Sequence, residues 1–259
     1  MPICNAFIQI VEWQIVEQQM TQTNSAIPDE NLRSAVIASC RELARRGLTH
    51  GTSGNISLRR DERSFFLSPT GMTYESLQPD DIPLMDMEGR WFGRRRPSSE
   101  WRFHRDILKS RGDIGAIVHT HSLKATALAC TGRGIPAFHY MVAVVGGPDI
   151  RCAPYCTFGT QELSDAAMAA LDGRKACLLG NHGVIAVGAD LPSALALAAE
   201  VENLAAQYCA ALAVGDVRIL DEAQMRRVVE KFRTYGAQDA TESGLVFGGT
   251  SLPGVIKGS

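Results

Sequence analysis

The chain has little of what several protein classes require. Aromatic residues make up only 7% of its 259 positions, too few for a surface on which single-stranded nucleic acid stacks. Neither sign of charge dominates, since 26 Lys+Arg stand against 28 Asp+Glu, a formal net charge of −2. That balance creates no long-range field to gather a polyanion or an anionic lipid surface. Nucleic-acid and membrane partners are therefore not expected, and any anionic ligand must be small and held by local groups. No run of 18 or more uninterrupted apolar residues occurs, so no membrane-spanning helix is predicted. The seven cysteines are scattered and form no CxxC pair. An odd, dispersed set predicts no disulfide framework and a reducing, cytoplasmic setting. Residues 1–20 contain no Lys or Arg, and Glu12 and Glu17 break up their apolar residues, so no secretory leader is read there.

What is present is a regular alternation of short apolar strands and helical patterns. Pro28, Asp29 and Glu30 suit a helix start, and Leu32, Val36, Ile37, Cys40 and Leu43 recur at helical spacing until Gly47. Asn55–Leu58 and Phe65–Leu67 read as strands around a charged turn. Gly89, Gly93 and Pro97 punctuate a loop, after which Ser98 or Ser99 is expected to cap a helix carrying Trp101, Ile107 and Leu108. Further strands are expected at Ile114–Val118, Lys175–Leu179 and Val184–Val187. Helices are expected at Lys124–Cys130, Gln161–Leu171, Leu191–Val214 and Asp221–Tyr235, with an irregular stretch between Pro136 and Pro154. The pattern predicts one α/β domain over residues 29–236, flanked by an N-terminal extension (1–28) and a Gly-rich C-terminal tail (237–259). Met20 offers an alternative start.

Strand alternation sends His119 and His121, in Val118-His119-Thr120-His121, to one face about 7 Å apart, where two imidazoles can share an ion. His182, in the turn Gly180-Asn181-His182-Gly183, is the best third ligand, and three histidines with an open position suit a catalytic metal. His50, His104 and His139 are expected to be structural or surface residues. Glu100, just after Ser98-Ser99, reads either as a helix-start residue or as an acid/base and extra ligand at the metal. The segments Gly51–Asn55, Ser68–Gly71 and Ser98-Ser99 are rich in hydroxyls and exposed N–H groups. Together they suit a phosphate monoester without a dedicated lysine. No GxxxxGK[ST] loop is present.

These residues stand in longer segments that resemble the class II aldolase/adducin family: GTSGNIS (51–57), SPTGMTYESL (68–77), PSSEWRFH (97–104), VHTHS (118–122), IPAFHYMVAVVGG (135–147), CAPYCTFGTQEL (152–163), NHG (181–183) and EKFRTYG (230–236). The resemblance implies a single α/β domain built on a central, mainly antiparallel sheet flanked by helices. It implies a zinc enzyme, with Mn2+ or Co2+ as alternatives, that cleaves a ketose 1-phosphate to dihydroxyacetone phosphate and an aldehyde. L-Fuculose 1-phosphate and the 5-deoxy- and 5-methylthio-ribulose 1-phosphates are the implied substrates. His119, His121 and His182 would bind the metal, with Glu100 as further ligand and acid/base. Asn55, Thr70, Gly71, Ser98 and Ser99 would hold the phosphate. Tyr140 would act in a neighbouring subunit's site within a homotetramer, and Phe158 and Tyr235 would close the site around the aldehyde end. A basic residue follows TYG in the family, whereas Gly236 here is followed by Ala237-Gln238-Asp239. Epimerases, decarboxylases, dehydratases and non-catalytic adducin-like modules share the family, and glutamate at position 100 favours the aldolase among them.

Overall fold

In the computed structural model, residues 29–232 are described. The extension 1–28, the tail 237–259 and Tyr235 lie outside the described residues. The described chain is organised by one eight-stranded sheet. Its strands are β1 (Asn55–Arg59), β2 (Ser64–Leu67), β3 (Leu84–Asp86), β4 (Trp91–Phe92), β5 (Ala116–Thr120), β6 (Cys152–Ala153), β7 (Ala176–Leu179) and β8 (Gly183–Gly188). They are ordered β4-β3-β2-β1-β5-β8-β7-β6, and all pairs are antiparallel except β6 with β7. The helices are α1 (Asp29–Arg45), α2 (Trp101–Ser110), α3 (Leu123–Ala129), α4 (Gln161–Ala170), α5 (Leu191–Val214) and α6 (Glu222–Phe232). This is the mainly antiparallel, helix-flanked α/β domain that the sequence predicts.

Two separate apolar clusters, one on each face of the sheet, explain why successive strand residues differ in role. Ile56, Phe66, Val118, Leu178, Val184 and Ala186 point into the cluster shared with Val36 and Leu43 of α1 and Val201 and Leu204 of α5. Phe65, Leu67, Ile117, Cys177, Ile185 and Val187 point the other way, against Phe103 and Ile107 of α2 and Leu163 and Ala167 of α4. The period of two along each strand therefore sorts neighbouring residues between the clusters. Helix α5 buries residues at three- and four-residue intervals from Leu191 to Tyr208, so one side of its 24 residues lies on the sheet. It starts at Asp190, whose carboxylate accepts the Ser193 N–H at 2.8 Å, with Pro192 in the first turn. Helix α1 stops where Gly47 takes a φ of +68°, as the glycine after its last turn predicts.

The structure departs from the sequence reading at short elements. The stretch around Gly89 contains β3 and β4, only three and two residues long, too brief to show alternation. The segment read as irregular contains a 3-10 turn, Tyr140–Val145, capped by His139, whose Nδ1 accepts the Met141 N–H at 3.2 Å. It also contains β6. Strand β5 runs two residues later than expected, because its pairing with β8 runs from Ala116 opposite Gly188 to Thr120 opposite Val184 and so takes in the polar His119 and Thr120.

Two outcomes follow from this packing. Phe66→Ala, which empties a fully buried site, is expected to cost about 3–5 kcal/mol in urea unfolding with an unchanged m-value. A thiol reagent on the native protein is expected to modify exposed Cys130 and spare Cys40 and Cys177 until denaturant is added, as read by peptide mass mapping. Both spared thiols are fully buried, and burial pushes Cys40 up to about 12 and Cys177 up as well.

Candidate metal and substrate site

Strand β5 ends at Thr120, and its last inward residue is His119, on the α2 side of the sheet with Ile117. His121 follows two residues later, returning to that side beyond the end of the strand. The turn between β7 and β8 brings in His182, and it closes because Asn181 adopts φ +53°, the left-handed conformation that asparagine tolerates. Cross-strand pairing of β5 with β8 and β7 with β8 holds the two segments side by side. The ring centroids of His119, His121 and His182 are 4.9–5.0 Å apart, and one nitrogen from each lies within 4.8 Å of the others. Glu100, at the start of α2, completes the group: Oε2 is 3.2 Å from His119 Nε2 and Oε1 is 3.1 Å from His182 Nε2.

The donor chemistry fits a divalent cation. His119 Nδ1–H donates to the Val184 carbonyl at 2.8 Å, which leaves the Nε2 lone pair facing inward, the arrangement that a backbone carbonyl imposes on metal-binding imidazoles. His119 Nε2 and His121 Nε2 approach to 3.0 Å. Two neutral imidazole lone pairs repel at that separation unless a proton or a cation serves both. Burial alone would raise the Glu100 carboxyl, but the charge of His119 and the close approach of the His119 and His182 imidazoles hold it well below the usual carboxylate range. Burial opposes protonation of His119, yet the Glu100 charge, its hydrogen bond and the Val184 carbonyl carry that imidazole above its ordinary value. His121 is pushed down to about 4 by burial and by the neighbouring histidines. Three imidazoles converging on one point, with a carboxylate within 3.2 Å of two of them, form a donor set that suits a divalent metal.

Outside this group the cleft widens to about 350 Å³. Thr70, Gly71, Ser98, Ser99 and Asn55 line it, as do Phe158 and the histidines 121 and 182. Among the described residues, none that lines it is a lysine or arginine.

Over residues 34–209 the chain matches the Class II Aldolase and Adducin N-terminal domain. It belongs to this family. Among proteins it is similar to is the 5-methylthioribulose-1-phosphate/5-deoxyribulose-1-phosphate aldolase of Rhodospirillum rubrum, 53% identical over 205 residues, which cover 79% of this chain and 92% of that one. The L-fuculose phosphate aldolase of Escherichia coli K12 is 46% identical over 206 residues, 79% of this chain and 95% of that one. A solved L-fuculose 1-phosphate aldolase superposes with a TM-score of 0.76 at 39% identity, covering 78% of this chain and 96% of that one.

Within the class II aldolase domain the predicted residues are distributed unevenly. The structure brings together His119, His121, His182 and Glu100 at the candidate metal site, and it lines the adjoining cleft with Asn55, Thr70, Gly71, Ser98, Ser99 and Phe158. Tyr140 is 51% exposed and does not line the cleft of its own chain. Tyr235 lies outside the described residues. Glu100, not a serine, occupies the helix N-cap, and Ser98 instead accepts the Glu100 N–H at 3.3 Å. Ser98 is held upstream because its own N–H donates to the Ser68 carbonyl, tying the two small-residue segments together. Sequence reasoning missed Thr52, Tyr155 and Cys156 as individual lining residues. It also set His104 aside, although that ring is fully buried beside the site, where burial, then His119, pushes it down to about 3.

Gly183 sits where the β7–β8 turn crosses β5. A Cβ there would run into the Thr120 carbonyl oxygen and come within 2.9 Å of His121 Cδ2. Gly183→Ala is expected to weaken divalent-metal affinity about 10- to 100-fold, measured by calorimetric titration of the chelator-stripped protein. In wild type, metal affinity is expected to fall as pH drops through the imidazole range, with proton release on binding. The sign follows because His119 holds its proton above the ordinary imidazole value and must surrender it to bind.

Proposed function

We propose that the chain is a zinc-dependent aldehyde-lyase that cleaves a ketose 1-phosphate reversibly to dihydroxyacetone phosphate and an aldehyde. The observation that carries this reading is the convergence of three imidazoles and one buried carboxylate beside a cleft lined by neutral hydroxyls and small residues. The substrates to consider are 5-methylthioribulose, 5-deoxyribulose and L-fuculose 1-phosphates. Identity of 53% to an aldolase named for the first two, against 46% to one named for the third, favours the truncated sugars.

The chain's residues divide the work by position. Asn55, Thr70, Gly71, Ser98 and Ser99 hold the substrate phosphate with hydroxyl, amide and N–H donors, aided by the positive end of the ten-residue helix α2. Anchoring at the phosphate orients the reacting carbons, which lie at the other end of the substrate. His119, His121 and His182, with Glu100 beside them, would hold a divalent cation, which would supply Lewis-acid stabilisation of developing oxygen charge. In cleavage, Tyr140 from a neighbouring copy takes the proton of the C4 hydroxyl. The C3–C4 bond then breaks, releasing the aldehyde. Glu100 then takes up a proton from solvent and delivers it to C3, giving dihydroxyacetone phosphate, while Tyr140 returns its proton to solvent. The exposure of Tyr140 and its absence from the lining of its own cleft support service in another subunit of a homotetramer. Phe158, 64% exposed at the cleft, and Tyr235 close the site around the aldehyde end. We take residues 29–236 as the catalytic domain, and its free thiols support a reducing, cytoplasmic setting. Among the described residues no helix is long and apolar enough to cross a membrane.

A panel of ketose 1-phosphates, with dihydroxyacetone phosphate detected through a coupled reductase, is expected to show turnover that a chelator abolishes and zinc restores. Turnover of no member defeats the assignment. Glu100→Gln is expected to retain metal by elemental analysis while losing about 10²- to 10⁴-fold in cleavage rate. Full activity at equal metal content removes Glu100 from the acid/base role.

A further inference from the structure

Strand β1 and helix α2 face each other with matched spacings. Asn55 and Ser57 are two residues apart on one side of β1, about 6.6–6.8 Å along a strand. Glu100 and His104 are four residues apart at the start of α2, about 6 Å along a helix and on one side of it. The near match lets the two pairs meet rung against rung in the buried layer between sheet and helix. All four residues are buried, Ser57 and His104 completely.

Hydrogen-bond polarity along this ladder is determined by its one acceptor-only end. The Glu100 carboxylate has no proton to donate, so Asn55 must turn its amide nitrogen towards it, and Nδ2–H donates to Oε2 at 2.9 Å. The amide oxygen then faces His104, 2.5 Å from Nε2, and can only accept, which requires the proton on Nε2. His104 Nδ1 is therefore an acceptor, and the Ser57 hydroxyl donates to it at 2.8 Å. Every group in the series Ser57, His104, Asn55, Glu100 has one consistent role. Reversing any one of them sets two acceptors or two donors against each other.

The far end of the series has a consequence at the carboxylate. Oε2 is the oxygen held by Asn55, while Oε1 is buried beside His182 and makes no well-aligned hydrogen bond. We propose that His104 is a positioning residue for the acid/base step: in its Nε2–H form it locks the Asn55 amide, which fastens Glu100 by Oε2 and presents Oε1 as the oxygen that exchanges a proton with substrate C3. The proposal rests on the aldolase reading for the identity of that step, but not for the orientation of the ladder. It also gives Asn55 a task beyond lining the phosphate cleft, since its amide oxygen and one amide hydrogen are already engaged.

Two measurements test it. The tautomer is read directly from ¹⁵N-labelled histidine spectra of the wild-type holoenzyme, with His104→Gln assigning the signal. A protonated Nε2 and bare Nδ1 are expected, and a proton on Nδ1 overturns the proposal whether or not the protein is an aldolase. The second measurement is exchange of the C3 hydrogen of dihydroxyacetone phosphate in D2O, followed by proton NMR, together with metal content and the kcat and KM of cleavage. In this exchange the enzyme base removes one C3 hydrogen and returns a deuteron from solvent, so no second substrate is needed. His104→Phe, which keeps a ring but removes both nitrogens, is expected to retain metal and KM while exchange and kcat fall together about 10- to 100-fold. His104→Gln, which restores a donor to the Asn55 oxygen, is expected to recover most of that loss. Wild-type rates in His104→Phe at equal metal content, or a Gln variant no better than Phe, overturn the proposal. If His104→Phe does not fold, the comparison of His104→Gln with wild type and the tautomer spectrum decide it. An inactive wild type defeats the aldolase reading instead, and the tautomer spectrum then decides the orientation of the ladder.

Discussion

The pairing of β1 with β5 is the constraint on which the site depends. Its register sets Asn55 opposite His119 and Ser57 opposite Ile117. Because strand side chains alternate, that register puts Asn55, Ser57 and His119 on the face covered by α2, and Ile56 and Val118 in the opposite core. A slip of one residue would exchange the faces, burying polar groups among α1 and α5 and stranding apolar ones at the metal site. The two apolar clusters make such a slip costly, since Ile56, Val118 and Phe66 on one side and Ile117, Phe65 and Ile185 on the other would all lose their partners. The hydrophobic layers thus hold the chemistry in place, and two of their members touch it: Phe103 packs edge-on against His119, and the Val184 carbonyl accepts the His119 Nδ1–H.

The site itself manages charge locally. A carboxylate buried beside imidazoles is tolerated because three neighbours, His119, His182 and Asn55, point nitrogens at it. His104, equally buried, is kept neutral by its surroundings and serves through hydrogen bonds alone. Among the described residues the cleft beyond carries no lysine or arginine, so what it offers an anion is oriented neutral donors and a helix terminus. A net charge of −2 is compatible with that arrangement because short-range geometry, not a long-range field, selects the ligand.

Most of the fold was legible because its elements carry strong local signals. The 24-residue α5 shows its caps and its apolar stripe in one dimension, β8 is a continuous apolar run, and β5 opens on one at Ala116-Ile117-Val118. Strands β3 and β4 left no signal, since two or three residues cannot display a period and their pairing depends on partners outside the segment. The serine cap before α2 failed for a similar reason. Ser98 had the right chemistry, but a hydrogen bond to Ser68, thirty residues away in the chain, sets where the helix begins. His104 read as an ordinary helix residue because its partners lie on β1, nearly fifty positions earlier.

From the sequence by itself came the three converging histidines, the glutamate before α2, the hydroxyl-rich segments and the family to which they belong. Residue type and short spacing specify what a side chain can ligate, accept or donate, and both are written along the chain. The tertiary structure alone decided which groups share an atom's reach. It alone showed that Glu100 lies against His119 and His182, that Ser98 ties two loops together, and that Asn55 is held between Glu100 and His104. Those relations arise from strand register and from a helix laid across a sheet. Their physical origin is the burial of two apolar layers, a property of the whole chain that no short segment contains.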